Sequence, residues 1–227
     1  MVKLIVFDWD DVFTLGSTEG YYACYHAALQ GVGITLSPEV ADQRIRSKWG
    51  SGHVAQLEDL LSEHPELVED AVELYEKNFY GDTFVDSLRV VPGSQSLVQR
   101  LSSTYKLAVA TGGHPKILKE RVLKKFHFPD VFDQILTIYD IDDIAHAKPH
   151  PHMLHQILET QQVSAADTIF VGDAKNDVLM AQAAGVEPVV VLTGHLTREE
   201  AVAMNVRYII DDVTKLPQLL AVDEFSA

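Results

Sequence analysis

The 227-residue sequence predicts an α/β fold: a parallel sheet with helices on both faces, and a small helical insert placed after the first strand. Three observations carry this. Short apolar runs rich in Val and Ile fall at 2–7, 106–110, 134–139, 168–172, 188–192 and 207–210. Polar or helix-like stretches separate them, the alternation expected of parallel strands with helical crossovers. From Ser17 to Val85 the strand-like runs vanish, and the intervening stretch reads as helix.

The first run, KLIVFDWDD, stops abruptly at acid. A buried strand ending in Asp8 and Asp10 places both carboxylates at the strand's carboxyl edge, where parallel sheets keep their ligand crevices. Unpaired, two such charges ~4 Å apart at an effective dielectric of ~20 repel by about 4 kcal/mol. The pair therefore implies a cation, a shared proton, or both. Trp9 between them is expected on the opposite side of the strand, packed in the core.

In the insert, SPEVADQRIRSKW reads as a helix capped by Ser37, with Pro38 and Glu39 at its start. HPELVEDAVELYEKNFY reads as another, with an apolar stripe through Leu67, Val68, Val72, Leu74 and Tyr75. Tyr21, Tyr22, Cys24 and Tyr25 are expected to pack a helix. The segment VVPGSQSLVQRL then re-enters the core.

Three later runs repeat the pattern of strand followed by a polar residue. KLAVAT ends at Thr111 and continues into Gly112 and Gly113. ILTIYD leads through an acidic loop to Lys148 in AKPHP. TIFVGD ends at Asp173, with Asp177 one helical turn on in KNDVLMAQAAG. Separate segments thus deliver carboxylate, hydroxyl, ammonium and carboxylate to one edge of one sheet.

Taken in this order, Asp8-x-Asp10, Thr111, Lys148 and Gly172-Asp173-x-x-x-Asp177 resemble the four motifs of the haloacid dehalogenase superfamily, over nearly the whole chain. GDAKNDVLMAQAAG is the most specific stretch. The insert is placed like the small cap of the phosphoglycolate phosphatase and β-phosphoglucomutase branch. The resemblance implies a Rossmann-like core, 1–16 and 87–227, with a helical cap at 17–86. It also implies Mg²⁺-dependent hydrolysis of a small phosphorylated metabolite. Asp8 would attack phosphorus to form an aspartyl phosphate, and Asp10 would serve as general acid and then base. Mg²⁺ would be held by the Asp8 carboxylate, the Asp10 carbonyl and Asp173, with Asp177 a ligand or an orienting group. Thr111, Gly112 and the following helix start would bind the phosphoryl oxygens, and Lys148 would neutralise Asp8 and the phosphate together. In the cap, Arg44, Lys48 and His53 are the candidates for polar substrate contacts. One residue departs from the family pattern: Asp11 stands where Gly is usual.

The formal net charge of −15 argues against nucleic-acid binding, since no basic stripe offsets it. The single Cys24 permits no internal disulfide, which fits a reducing compartment. With no leader-like N-terminus and no apolar run of membrane-spanning length, the expected location is the cytoplasm. A calcium loop starting at Asp8 fails at Val12 and at Phe13, where Gly is required. His146, His150, His152 and His155 suggest zinc, yet no cysteine or further ligand supports it. Rivals to the phosphatase reading are a phosphomutase and a phosphonate hydrolase using Lys48. A phosphoaspartate signalling module and a silent phosphate-binding protein complete the set. In the signalling module the acid pair precedes the Thr and Lys, whereas here the GDAKND acids come last.

Overall fold

A computed structural model describes residues 1–47 and 52–221. The chain runs β1 (Leu4–Phe7), β2 (Thr14–Leu15), α1 (Ser17–Gly31), α2 (Pro38–Ser47), α3 (His53–Leu60), α4 (Val68–Tyr80) and α5 (Asp82–Ser87). It continues through β3 (Arg89–Val90), α6 (Ser94–Leu101), β4 (Lys106–Thr111), α7 (Pro115–Ile117) and α8 (Leu123–Lys125), the last two joined by a π-helical turn at Leu118–Val122. Then come β5 (Gln134–Thr137), α9 (His152–Gln161), β6 (Thr168–Gly172), α10 (Lys175–Ala183), β7 (Glu187–Val191), α11 (Arg198–Ala203), β8 (Tyr208–Ile210) and α12 (Leu216–Ala221).

All six apolar runs of the sequence become strands of one parallel sheet, ordered β5-β4-β1-β6-β7-β8. Chain order reverses between β1 and β6, a topological switch point of the doubly wound fold, where ligand crevices form. Phe7 pairs with Val109 on β4 and with Val171 on β6, so the ends of these three strands lie level with one another. All four residues of β1 are fully buried, as a strand covered on both faces must be. Leu4 and Val6 face a core built with Met153, Leu154 and Ile157 of α9 and Met180 and Ala181 of α10. On the opposite face Phe7 packs on Phe13, and Trp9 lies within ring-contact distance of Phe13, Phe128 and Phe132. The expected core position of Trp9 is therefore observed.

By contact density the chain divides into two compact units, Met1–Leu15 with Val90–Ala227, and Gly16–Arg89. The second unit is helical. In it α2 starts at Pro38, with the Val40 N–H donating to Ser37 Oγ at 3.4 Å. The buried stripe of α4 is Ala71, Tyr75 and Phe79, spaced by four. It is rotated from the expected stripe, which leaves Val72 and Leu74 half-buried at its edges. Tyr25 and Tyr75 pack ring to ring at 4.6 Å, and buried Cys24 lies in the same helix as Tyr25.

Leu154 anchors α9 to the sheet and is fully buried. Leu154→Ala is expected to lower stability by about 2–5 kcal/mol, read as a lower urea midpoint with unchanged slope.

Candidate active site

Four neighbouring strands bring the polar residues to one edge. Asp8 follows β1, Thr111 ends β4, Asp173 follows β6, and Lys148 lies in the connection from β5 to α9. Lys148 Nζ sits 3.0 Å from Asp8 Oδ1 and 2.8 Å from Asp177 Oδ1, in a nearly closed environment. Asp8 Oδ1 also accepts the Trp9 N–H at 2.7 Å. Asp177 Oδ2 accepts the N–H groups of Asp173 and Ala174, each at 3.1 Å, which closes the turn from β6 into α10. Both oxygens of Asp177 are thus committed within the protein. Asp173 is 2% exposed, and its Oδ2 accepts the His195 N–H at 3.0 Å. Among the described residues no hydrogen bond reaches Asp8 Oδ2 or Asp173 Oδ1. Ligand atoms of Asp8, Asp173 and Asp177 lie within 4.8 Å of one another, a spacing one cation can span.

Asp10 and Thr111 flank a common spot. A Cβ placed on Gly113 would lie 3.3 Å from Thr111 Oγ1 and 3.8 Å from Asp10 Oδ2. Thr111 Oγ1 accepts the Gly113 N–H at 3.0 Å, which leaves its own O–H to donate. Gly112 is exposed, with open space where a side chain would project. Asp11 adopts the left-handed backbone, φ 56°, the conformation for which Gly is usual and Asp among the tolerated alternatives. The turn it makes is tight, with Asp11 N–H donating to Thr14 O at 2.6 Å.

A loop absent from the sequence-based site completes the edge. After β7, Thr193 Oγ1 donates to the Asp11 carbonyl, and the His195 N–H holds Asp173. Gly194 between them is obligatory, because a Cβ there would overlap the Asp173 carboxylate. The same test at Gly172 puts the Cβ 2.6 Å from the Asp177 side chain. The signal for this loop is present in VVVLTGH, a strand followed by Thr-Gly as at Thr111-Gly112.

Crowding of acids at a buried edge shifts their protonation. Burial, with the charge of Asp177, pushes Asp8 up to about 6 against the pull of Lys148. Burial and the charges of Asp8 and Asp11 push Asp10 up to about 7. Asp173 is held well above the ordinary carboxyl value by burial, then by Asp177 and Asp8. Burial lowers Lys148, but the charges of Asp177 and Asp8 outweigh it and leave the ammonium above its ordinary value.

The insert's expected contact residues are engaged within their own unit. Arg44 ties α2 to α3, with Nε on Asp59 Oδ2 at 3.1 Å and its terminal nitrogens on the carbonyls of Asp59 and Leu60 and on Ser62 Oγ. His53 stacks on Tyr75 at 4.9 Å, with Nε2 3.3 Å from Glu76 Oε1. Lys48 lies outside the described residues. The rings of His146, His150 and His152 stand 4.7–6.4 Å apart. Among the described residues their nitrogens do not converge as a set, and His155 projects into solvent.

The sequence profile of the haloacid dehalogenase-like hydrolases matches residues 2–185, and the chain belongs to that family. A phosphoglycolate phosphatase of Vibrio parahaemolyticus is 26% identical over 230 residues, covering 97% of each chain. The pyrophosphatase PpaX of Bacillus mycoides is 31% identical over 117 residues, 52% of this chain and 53% of its own. Among solved structures, a subfamily IA hydrolase of the superfamily from Geobacter sulfurreducens superposes with a TM-score of 0.74 at 23% identity, covering 96% of both chains. A haloacid dehalogenase-like family protein from Streptococcus pneumoniae gives 0.75 at 21% identity, covering 96% of this chain and 98% of its own. These two share the fold. No helix among the described residues is long and apolar enough to cross a membrane.

The raised acids set a pH dependence. Their folded values exceed the ordinary 3.8, so between 3.8 and about 7 the folded state binds more protons than the unfolded chain. Stability of the metal-free protein therefore falls as pH rises through that window. Melting temperature is expected to drop between about pH 5 and about pH 8, and a divalent cation added at the higher pH to restore it. A flat profile that no cation shifts would contradict this. Gly194→Ala should remove the cation response, because its methyl displaces Asp173.

Proposed function

We propose that the chain is a Mg²⁺-dependent phosphatase that hydrolyses a small phosphorylated metabolite through an aspartyl phosphate on Asp8. The observation that carries this reading is the largely enclosed Asp8–Lys148 pair, 3.0 Å long, at a sheet edge shared with Asp10, Thr111 and Asp173. A carboxylate held against an ammonium is ionised and aimed, and the same ammonium offsets the charge of an incoming phosphate. The names of the phosphatase relatives support the substrate class.

Asp8 Oδ2, the oxygen Lys148 leaves open, attacks phosphorus in line as the bond to the leaving oxygen breaks. Asp10, raised to about 7 by burial and its acidic neighbours, still carries a proton near neutrality and gives it to that oxygen. Asp10 then takes a proton from water, which attacks the aspartyl phosphate, releases inorganic phosphate and regenerates Asp8. The Thr111 hydroxyl and the Gly112 N–H bind the phosphoryl oxygens throughout.

The donor set is all oxygen, which suits Mg²⁺: the Asp8 carboxylate through the oxygen that does not attack, the open oxygen of Asp173 and the Asp10 carbonyl would hold it. When bound, Mg²⁺ supplies the positive charge that lets one anion approach another. Asp177, both of whose oxygens are occupied, orients Lys148 and the β6 turn. The helical unit Gly16–Arg89 takes the role of the family's cap, which reads the leaving group. A cytoplasmic location and a small-molecule partner complete the reading.

Phosphate release from a panel of small phosphomonoesters, with and without Mg²⁺, tests it. Wild type is expected to need Mg²⁺, and Asp8→Asn to fall to background while remaining folded. Asp10→Asn should lower kcat by about 10²–10⁴-fold on alkyl phosphates, and by much less on an aryl ester whose leaving group needs no proton. A folded wild type that releases phosphate from none of the panel would overturn the proposal.

A further inference from the structure

Asp11, the one departure from the family pattern, stands in a second group of potential ligands. Ligand atoms of Asp11, Asp173 and His195 all lie within 4.8 Å of one another. Three separate connections supply them: the turn after β1, the residue after β6 and the loop after β7. His195 Nε2 and Asp11 Oδ2 are 3.8 Å apart. That separation is too long for a hydrogen bond. It fits within the ~4.2 Å that two ligands about 2.0–2.1 Å from one ion can span. The gap between imidazole and carboxylate is thus the size of a cation.

We propose that Asp11, Asp173 and His195 form a second metal site, selective for borderline transition ions such as Zn²⁺ over Mg²⁺. The chemistry of the donors sets the selectivity. Imidazole suits Zn²⁺, Ni²⁺ and Cu²⁺, whereas Mg²⁺ takes oxygen ligands and keeps several waters. Asp11 and His195 contribute nothing to the all-oxygen set of Asp8 and Asp173, so the two sites meet only at Asp173. A transition ion seated here draws Asp173 toward itself and competes with Mg²⁺ for that carboxylate. His195 is half-exposed, which gives an ion a path from solvent.

The backbone around the site is set for this arrangement. The Thr193 hydroxyl fastens the Asp11 carbonyl, the His195 N–H fastens Asp173, and side-chain-free Gly194 lets the loop lie against the acid. With Gly at position 11 one of the three ligands would be lost, leaving a carboxylate and one imidazole.

Calorimetric titration of the full chain with Zn²⁺ and, separately, with Mg²⁺ tests the site in wild type, Asp11→Asn and His195→Gln. Both substitutions keep side-chain size, Asn tolerates the left-handed backbone, and Gln retains the N–H that holds Asp173. Zn²⁺ affinity is expected to fall by about tenfold or more in each variant, with Mg²⁺ affinity within about twofold of wild type. Unchanged Zn²⁺ affinity in both would overturn the site and leave a plain Asp11–His195 ion pair. So would equal losses for both ions, since the residues would then act only by positioning Asp173. No phosphate is released in these titrations, so failure of the phosphatase reading and failure of this site are separately visible.

Discussion

The Lys148 ammonium, shared between Asp8 and Asp177 and lying 5.2 Å from the centre of the Phe170 ring, is the interaction on which the rest of the edge depends. Two carboxylates facing each other across an apolar sheet edge repel; a cation between them turns the repulsion into two ion pairs. Removing any partner of such a buried set leaves an uncompensated charge, which costs more than the pair itself contributes. Its members come from distant parts of the chain, so the ion pairs form only when the sheet order is correct. Sheet topology and site electrostatics are therefore one constraint.

Even so, the edge remains electrostatically overfull. The carboxyl groups of Asp10, Asp11, Asp173 and Asp177 share the edge with Asp8, and burial with these like charges raises Asp8 to about 6 and Asp10 to about 7. The surrounding scaffold bears that unfavourable energy. Fully buried β1, with α9 and α10 packed on one face and an aromatic cluster on the other, holds the acids where they would not otherwise stay. Glycines at 172 and 194 let backbone nest against carboxylate where any Cβ would collide. A core whose local choices agree can support one place where they conflict, and that place is where chemistry happens.

The parts of this arrangement that were legible in the sequence share a physical origin. A buried strand must be apolar and must end somewhere, so runs such as TIFVGD announce both the strand and the polar group at its tip. The helices of the insert were visible through Ser37, Pro38 and their apolar spacing. What stayed hidden depends on partners far along the chain. Arg44 looked available for substrate because its tie to Asp59, 15 residues on, follows from how α2 meets α3. Both Asp177 oxygens prove committed only once the β6 turn and Lys148 are in place. His195 went unnoticed because a single histidine in a loop has no periodicity, and its hold on Asp173 is a main-chain N–H that every residue but proline owns.

Asp11 shows why a departure from a family pattern has to be weighed against backbone geometry. Gly is favoured after the second acid because the chain turns there with φ 56°, and the turn survives in Asp11 with its hydrogen bond to Thr14 O intact. The loop is therefore not eroded. Asp nonetheless costs the protein twice at this position: it gives up the conformational ease of Gly, roughly 1 kcal/mol, and it adds a carboxylate to an edge that already has too many. Its charge is one of those that raise Asp10 and Asp173. The neighbourhood sets that side chain beside the imidazole of His195, 3.8 Å away, and close to Asp173, the three groups of the proposed cation site.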